Sequence, residues 1–212
     1  MHCASLGEFE QGRPVIEKIR KEHPDWKVVI TFFSPSGYEV RKDYSGADLV
    51  MYLPVDLPGN VDFFLDRVRP DLALIVKYEF WYNYLDELKR RNIPTYLVSG
   101  IFRPDHYFFR WYGRFARGVF SVFNRIFVQD EQSGRLLQSI GYGRYLVTGD
   151  TRFDRVSQIA AAARDLQVIE HFRGNEPLFV AGSSWDDDED IIIRYINARS
   201  GAMKWVIAPH EI

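Results

Sequence analysis

The sequence predicts an α/β fold: a doubly wound, Rossmann-like parallel sheet followed by the opening of a second unit of the same kind. Three observations predict it. Short apolar runs alternate with amphipathic stretches from one end of the chain to the other, the pattern of strands in a parallel sheet with helices on both faces. The runs are near-continuous in apolar character instead of alternating, as strands buried on both faces are. Turn residues agree, because Pro24, Pro70 and Pro94 each stand just ahead of a run and close the helix before it.

Strands are expected at residues 2–5, 27–32, 49–53, 72–76, 95–98, 125–128 and 145–147. Helical patterns at 13–22, 59–68, 82–91 and 131–140 lie between them, and Gly141 follows the last, where a left-handed cap is expected. The rhythm then changes. Residues 156–171 are Ala-rich and helical, and residues 173–177 break the chain. A strand at 178–181, a Gly-Ser-Ser turn, an acid-capped helix and a strand at 204–208 complete the order. This divides the chain into a first domain at 1–155, a helical linker at 156–176 and the start of a second domain at 177–212. That second domain is expected to continue past Ile212, and a strand already under way at His2 predicts residues upstream.

Apolar residues make up 46% of the chain and charged residues 26%, which is the composition of a soluble globular protein. A formal net charge of −2 gives no footing for nucleic acid. The single cysteine, Cys3, excludes an internal disulfide framework, and its apolar surroundings predict burial. No apolar stretch is long enough to cross a bilayer, so these residues would meet a membrane only peripherally. Residues 103–125 carry Arg103, Arg110, Arg114, Arg117 and Arg125 among aromatics, with Asp105 the lone acid. Such interleaving suits an anionic membrane surface or a phosphorylated ligand. It equally suits a basic helix face whose aromatic side packs on the core, and the sequence leaves both open.

Ligands of open α/β sheets bind beyond the carboxyl ends of the strands, and four loops there hold chemistry. Ser5-Leu6-Gly7-Glu8 leads into a helix. Its Glu8 either complements the helix dipole or faces the crevice, and the dipole is expected to keep its pKa low. Ser34-Pro35-Ser36-Gly37 is a simple N-cap or an anion or sugar site. In Lys77-Tyr78-Glu79-Phe80-Trp81-Tyr82-Asn83, a carboxylate and an amide stand among aromatics, as in carbohydrate recognition or as wedges between helix and sheet. Ala181-Gly182-Ser183-Ser184-Trp185 looks like a phosphate-cradling turn, and the acids at 186–189 read as capping instead of a metal site. His210 and Glu211 follow the last strand.

Together these residues resemble the Kdo transferase family, the 3-deoxy-D-manno-octulosonic acid transferases of GT-B type. His2, Ser5, Gly7 and Glu8 match its His-x-x-Ser-x-Gly-Glu. Tyr52, Leu53, Pro54 and Asp56 match Tyr-Leu-Pro-x-Asp, and Glu79, Trp81 and Asn83 match Glu-x-Trp-x-Asn. Residues 147–154 are similar to Val-Thr-Gly-Asn-x-Lys-Phe-Asp. Ala181 to Ser184 and Pro209-His210-Glu211 resemble the start of its donor domain. There are departures: Lys77-Tyr78 replaces a usual Thr-Glu, residues 99–103 only loosely echo Asn-Ala-Arg-Leu-Ser, and Trp185 stands at a usual Thr-His.

The resemblance implies transfer of Kdo from CMP-Kdo to a lipid A precursor, with inversion, at the cytoplasmic face of the bacterial inner membrane. It makes Glu8 the catalytic base. It places Ser34, Ser36, Gly37, Glu79, Trp81, Asn83 and Arg103 at the acceptor and Gly182, Ser183, Ser184, His210 and Glu211 at the donor. It implies no metal or other cofactor, and the 212-residue chain by itself is expected to be inactive. The rival readings are a non-catalytic sugar- or nucleotide-binding module of the same fold, and a nucleotide-sugar epimerase.

Overall fold

A computed structural model describes residues 1–162, 166–198, 201 and 203–210. The chain divides into two compact units, Met1–Ala161 and Ala162–Ile212.

In the first unit the order is α1 (Leu6–Glu22), β1 (Val29–Phe32), α2 (Pro35–Arg41), β2 (Leu49–Tyr52), α3 (Pro58–Val68) and β3 (Ala73–Val76). It continues through α4 (Tyr82–Arg90), β4 (Thr95–Gly100), two 3-10 segments (Tyr107–Phe109 and Trp111–Val122) and β5 (Arg125–Val128), then α5 (Glu131–Ser139), β6 (Tyr145–Val147) and α6 (Thr151–Ala161). β1 pairs with β2, and β3, β4, β5 and β6 pair in that order, all parallel. Residues 1–4 join the two sets. His2 bridges both Thr31 of β1 and Ile75 of β3, with His2 N–H donating to Leu74 O at 2.8 Å and Cys3 N–H to Thr31 O at 3.0 Å. The chain therefore winds outward one way through β1 and β2, then the other way from β3 to β6. The switch point lies between residues 1–4 and β3.

Successive strand residues point to opposite faces, and β3 shows the result. Ile75 packs with Leu85 of α4 and Phe102, Phe120 and Phe123, whereas Val76 packs with Phe9 and Ile16 of α1. Helices thus cover both faces. A third cluster joins Val61, Phe64 and Leu65 of α3 to Tyr84 and Leu88 of α4. Burial on both faces holds for the inner strands, but the edge strands β2 and β6 expose Leu49, Tyr52 and Leu146. Cys3 is fully buried, as its surroundings predicted.

α1 begins at Leu6, a full two turns before the predicted start. Its first turns bury Glu8, Phe9, Gln11 and Gly12, so polar residues lie inside and hide the amphipathic signal that becomes clear only from Arg13. α6 packs on α1, through the Thr151 hydroxyl donating to Gln11 O at 2.7 Å and Arg155 beside Glu10 at 3.4 Å.

The second unit holds α7 (Gln167–Arg173), β7 (Leu178–Ser184), α8 (Asp186–Ala198) and β8 (Lys204–Pro209), with β7 and β8 parallel. The expected Gly-Ser-Ser turn is instead strand: β7 runs to Ser184, with a register shift between Gly182 and Ser184. Parallel pairing to β8 as far as Pro209 holds Gly182 and Ser184, and Ser183 between them is the irregular residue at the shift.

Candidate functional site

The switch point brings two carboxylates together. Ser5 is extended and α1 starts directly after it, so Glu8 lies in the first turn. Its side chain reaches back to accept the Ala4 N–H at 2.5 Å, and only 7% of the residue is exposed. Burial pushes its pKa up, opposed by the Ala4 N–H, by the charge of Lys77 and by the Ser5 N–H. This corrects the expectation of a low value. The helix dipole favours the anion, but loss of water disfavours it more.

Glu79 stands in the loop after the neighbouring strand, β3. It accepts the Trp81 indole N–H at 3.1 Å. Its pKa is also raised, first by burial and then by repulsion from Glu8, with the Trp81 bond and Lys77 opposing. Trp81 is held in turn by Phe33, at 4.9 Å between ring centroids, and meets His2 edge-on at 6.3 Å. Lys77 opens this loop with a left-handed backbone, φ +65°.

Asn83 is committed elsewhere. Its side-chain amide donates to Asp56 O at 2.8 Å, and the Asp56 carboxylate accepts the N–H groups of Asn83 and Tyr84. Asp56 therefore caps α4 from a distant loop, a role the sequence motif around Pro54 did not disclose. Ser34 likewise caps α2, accepting Ser36 N–H at 3.3 Å with the two hydroxyls 2.9 Å apart. Its own N–H donates to Ala4 O at 2.7 Å, which ties this loop to the switch point. Gly37 is needed for close approach: a β-carbon there would lie 2.2 Å from the Phe32 ring. Arg103 is exposed after β4.

One feature of the first unit had no sequence signal beyond a hydroxyl residue at a strand end. Ser99, next to the end of β4, takes a left-handed conformation, φ +57°, and is buried. Its hydroxyl lies 3.2 Å from that of Thr151, and Gln129 donates to its carbonyl at 2.9 Å. Left-handed backbone at a residue with a side chain is strained, and such strain concentrates at functional sites.

In the second unit the donor candidates do meet. Ser183, also left-handed at φ +58°, places its hydroxyl 2.7 Å from His210 Nδ1. Trp185 lies against the His210 ring at 4.3 Å. The Ser184 hydroxyl donates to Glu189 at 2.7 Å, and Asp188 accepts the Trp185 N–H at 3.1 Å, so Asp188 acts in capping while Glu189 holds the Ser184 hydroxyl. Gly182 has open space where a β-carbon would be. Glu211 lies outside the described residues.

Residues 1–155 match the family described as 3-deoxy-D-manno-octulosonic-acid transferase (kdotransferase). The chain belongs to this family. Among curated Kdo transferases, that of Haemophilus influenzae is 25% identical over 202 residues, covering 92% of this chain and 46% of its own length. That of Aquifex aeolicus is 24% identical, covering 100% of this chain and 54% of its own. The chain thus spans about half the length of the Kdo transferases it matches. Among solved structures, UDP-GlcNAc 2-epimerase from Neisseria meningitidis aligns with a TM-score of 0.69 at 15% identity, over 100% of this chain and 65% of its own. The enzyme of that name from Methanocaldococcus jannaschii aligns at 0.61, with 15% identity, over 98% and 65%. At such identities the likeness is one of fold: the Rossmann-like architecture is shared between these epimerases and this Kdo transferase chain.

Proposed function

We propose that this chain supplies the acceptor-binding domain and the opening of the donor-binding domain of an enzyme that transfers Kdo from CMP-Kdo to a hydroxyl of a lipid A precursor. The observation that carries the reading is Glu8, a buried carboxylate of raised pKa at the switch point. A general base needs its pKa lifted toward the working pH and a place where substrate meets it. In the proposed step Glu8 takes the proton of the acceptor hydroxyl. The oxygen attacks the anomeric carbon opposite the phosphate, and CMP leaves with the electron pair of the broken bond, which inverts that carbon.

Glu79, held by Trp81, would grip acceptor hydroxyls beside Glu8. The Ser34, Ser36 and Gly37 loop and Arg103 complete the proposed acceptor side, with Asn83 acting through the loop it fixes. Gly182, Ser183, Ser184, His210 and Glu211 would hold the donor phosphate. The division into 1–155, 156–176 and 177–212 belongs to the same proposal. The exposed arginines and aromatics of residues 103–125 would rest on the cytoplasmic face of the inner membrane.

The test is turnover by the whole protein of CMP-Kdo with a lipid A precursor. Glu8→Gln is expected to lower kcat by about 10²–10⁴-fold, the usual contribution of a general base, while acceptor binding persists. Near-normal turnover in that variant removes Glu8 from the mechanism.

A further inference from the structure

A second gathering of charged groups stands at the other end of the first unit's sheet. There α4 ends at Arg90, the longer 3-10 segment at Val122 and α5 at Ser139, while β5 and β6 begin at Arg125 and Tyr145. The strands are parallel, so this end faces away from Glu8. Between these chain ends lies a surface cavity of about 360 Å³, lined by Arg117, Ser121, Gly141, Tyr142, Gly143 and Arg144. Gly141, at φ +85°, turns the chain back after α5, and both it and Gly143 meet open space where a β-carbon would be. The wall on that side is therefore low, and the cavity opens over it.

Three cations border it, two of them through Ser121. The Lys89 ammonium donates to the Ser121 hydroxyl at 3.0 Å, and the Arg144 guanidinium donates to the Ser121 carbonyl at 3.2 Å. Arg117 is fixed by its bonds to Phe108 O and Arg110 O, at 2.8 and 3.2 Å. None of the three pairs with a carboxylate among the described residues. The sequence gives the reason. No Asp or Glu occurs at 106–129 or at 132–149, and Glu87, near Lys89 on α4, is held by Arg90 and Arg91. Cations beside the carbonyl ends of helices are usual, and such capping accounts for the bond from Arg144 to Ser121 O. A guanidinium carries five N–H groups, however, so donors remain on Arg117 and Arg144. Unpaired cations gathered at one hollow attract an anion, and the guanidinium fork matches the oxygens of a phosphate. We propose that this cavity binds a phosphate group carried on a small polar body, at a site apart from the crevice that holds Glu8. Phe115, fully exposed two residues before Arg117, favours the headgroup of an anionic phospholipid as its source. The inference stands independently of the assigned activity.

The experiment titrates glycerol phosphate into the whole protein at fixed ionic strength and follows the Gly141 and Gly143 amides by NMR. Both signals are expected to shift and saturate together. Arg144→Gln and Lys89→Gln should each weaken the binding roughly 10-fold, as loss of a charge-assisted hydrogen bond does. Arg90→Gln removes an equal charge from the same helix end, where Glu87 already holds it, and should leave the binding unchanged. Sedimentation with phosphatidylglycerol vesicles then separates the two sources of phosphate. Weaker vesicle binding in Arg144→Gln and Lys89→Gln, with Arg110 and Arg114 in place, assigns the cavity to a lipid headgroup. Vesicle binding unchanged beside weakened glycerol phosphate binding assigns it to a soluble phosphate ester. Amide shifts that do not saturate overturn the proposal, and so does an affinity equal in all three variants.

Discussion

His2 occupies the centre of the sheet, and its chemistry is set by that enclosure. Its Nδ1 lies 3.0 Å from the Thr31 hydroxyl, while Nε2 is buried without a partner. Burial lowers its pKa to about 4, opposed by a hydrogen bond at Thr31. The folded state therefore refuses a proton that the unfolded chain accepts below its ordinary value of 6.5. Stability should fall as pH drops from 6.5 toward 4, by roughly 3 kcal/mol in all. Glu8 and Glu79 act in the opposite direction, since raised carboxyl pKa values make the folded state bind protons more readily. Comparing urea midpoints of His2→Gln and the unaltered protein from pH 7 to 4.5 isolates the histidine. An equal acid slope in both would exclude it. The sequence placed Glu79 and His210 correctly after strands and Glu8 correctly at a helix start, because glycine, hydroxyl and aromatic neighbours mark such positions. It misjudged the Glu8 pKa and passed over Ser99, because burial and backbone strain depend on neighbours dozens of residues away. Asp56 stayed hidden for the same reason, since the helix it caps begins 26 positions later.

Among the elements, strand positions were legible because apolar runs between turn residues have few other uses, and β5 and β6 fall where the pattern put them. Residues 103–125 were not legible in shape. Tyr107–Phe109 and Trp111–Val122 within them are 3-10 segments, a conformation seldom sustained over so many residues, and Gly113 permits their close approach, because a β-carbon there would lie 1.6 Å from Tyr107 O. The two readings of the segment divide by residue. Phe108, Phe120 and Phe123 are core, whereas Trp111 and Phe115 are 88% and 100% exposed beside Arg110 and Arg114. Exposed aromatics with cations fit an anionic bilayer surface. Arg117 is different, since it donates to Phe108 O and Arg110 O and so ties the turns together. Replacing Arg110 and Arg114 by Ser, with Arg117 kept, should weaken binding to phosphatidylglycerol vesicles roughly 10- to 30-fold, at about 1 kcal/mol per surface charge. Unchanged binding in a vesicle sedimentation assay would make the segment a solvated face.

At the scale of the molecule the two units differ in what holds them. The first has three apolar clusters, and side chains such as Phe9, Phe32 and Leu97 are fully buried within them. Each such residue contributes about 1.5–3 kcal/mol by leaving water. In the second, Ser184 is the one buried side chain among the described residues, and Val180 and Ile191 are at least 60% exposed. Its order rests on the β7–β8 ladder, on Phe179 and Tyr195 against Trp205, and on Lys204 bonded to Phe172 O and Glu176. Ordering a residue's backbone costs about 1–2 kcal/mol, which polar contacts worth about 1 kcal/mol each do not offset without apolar burial. The 212-residue chain should therefore open in two steps. Amide exchange in β7 and β8 should proceed through a local opening of far lower free energy than exchange in β4 and β5. In urea, Trp205 fluorescence, read in a variant with the other tryptophans replaced by Phe, should change before the circular dichroism of the first unit does. Coincident transitions with equal exchange free energies would overturn this, and would mean that the second unit draws on stability its own contacts do not provide.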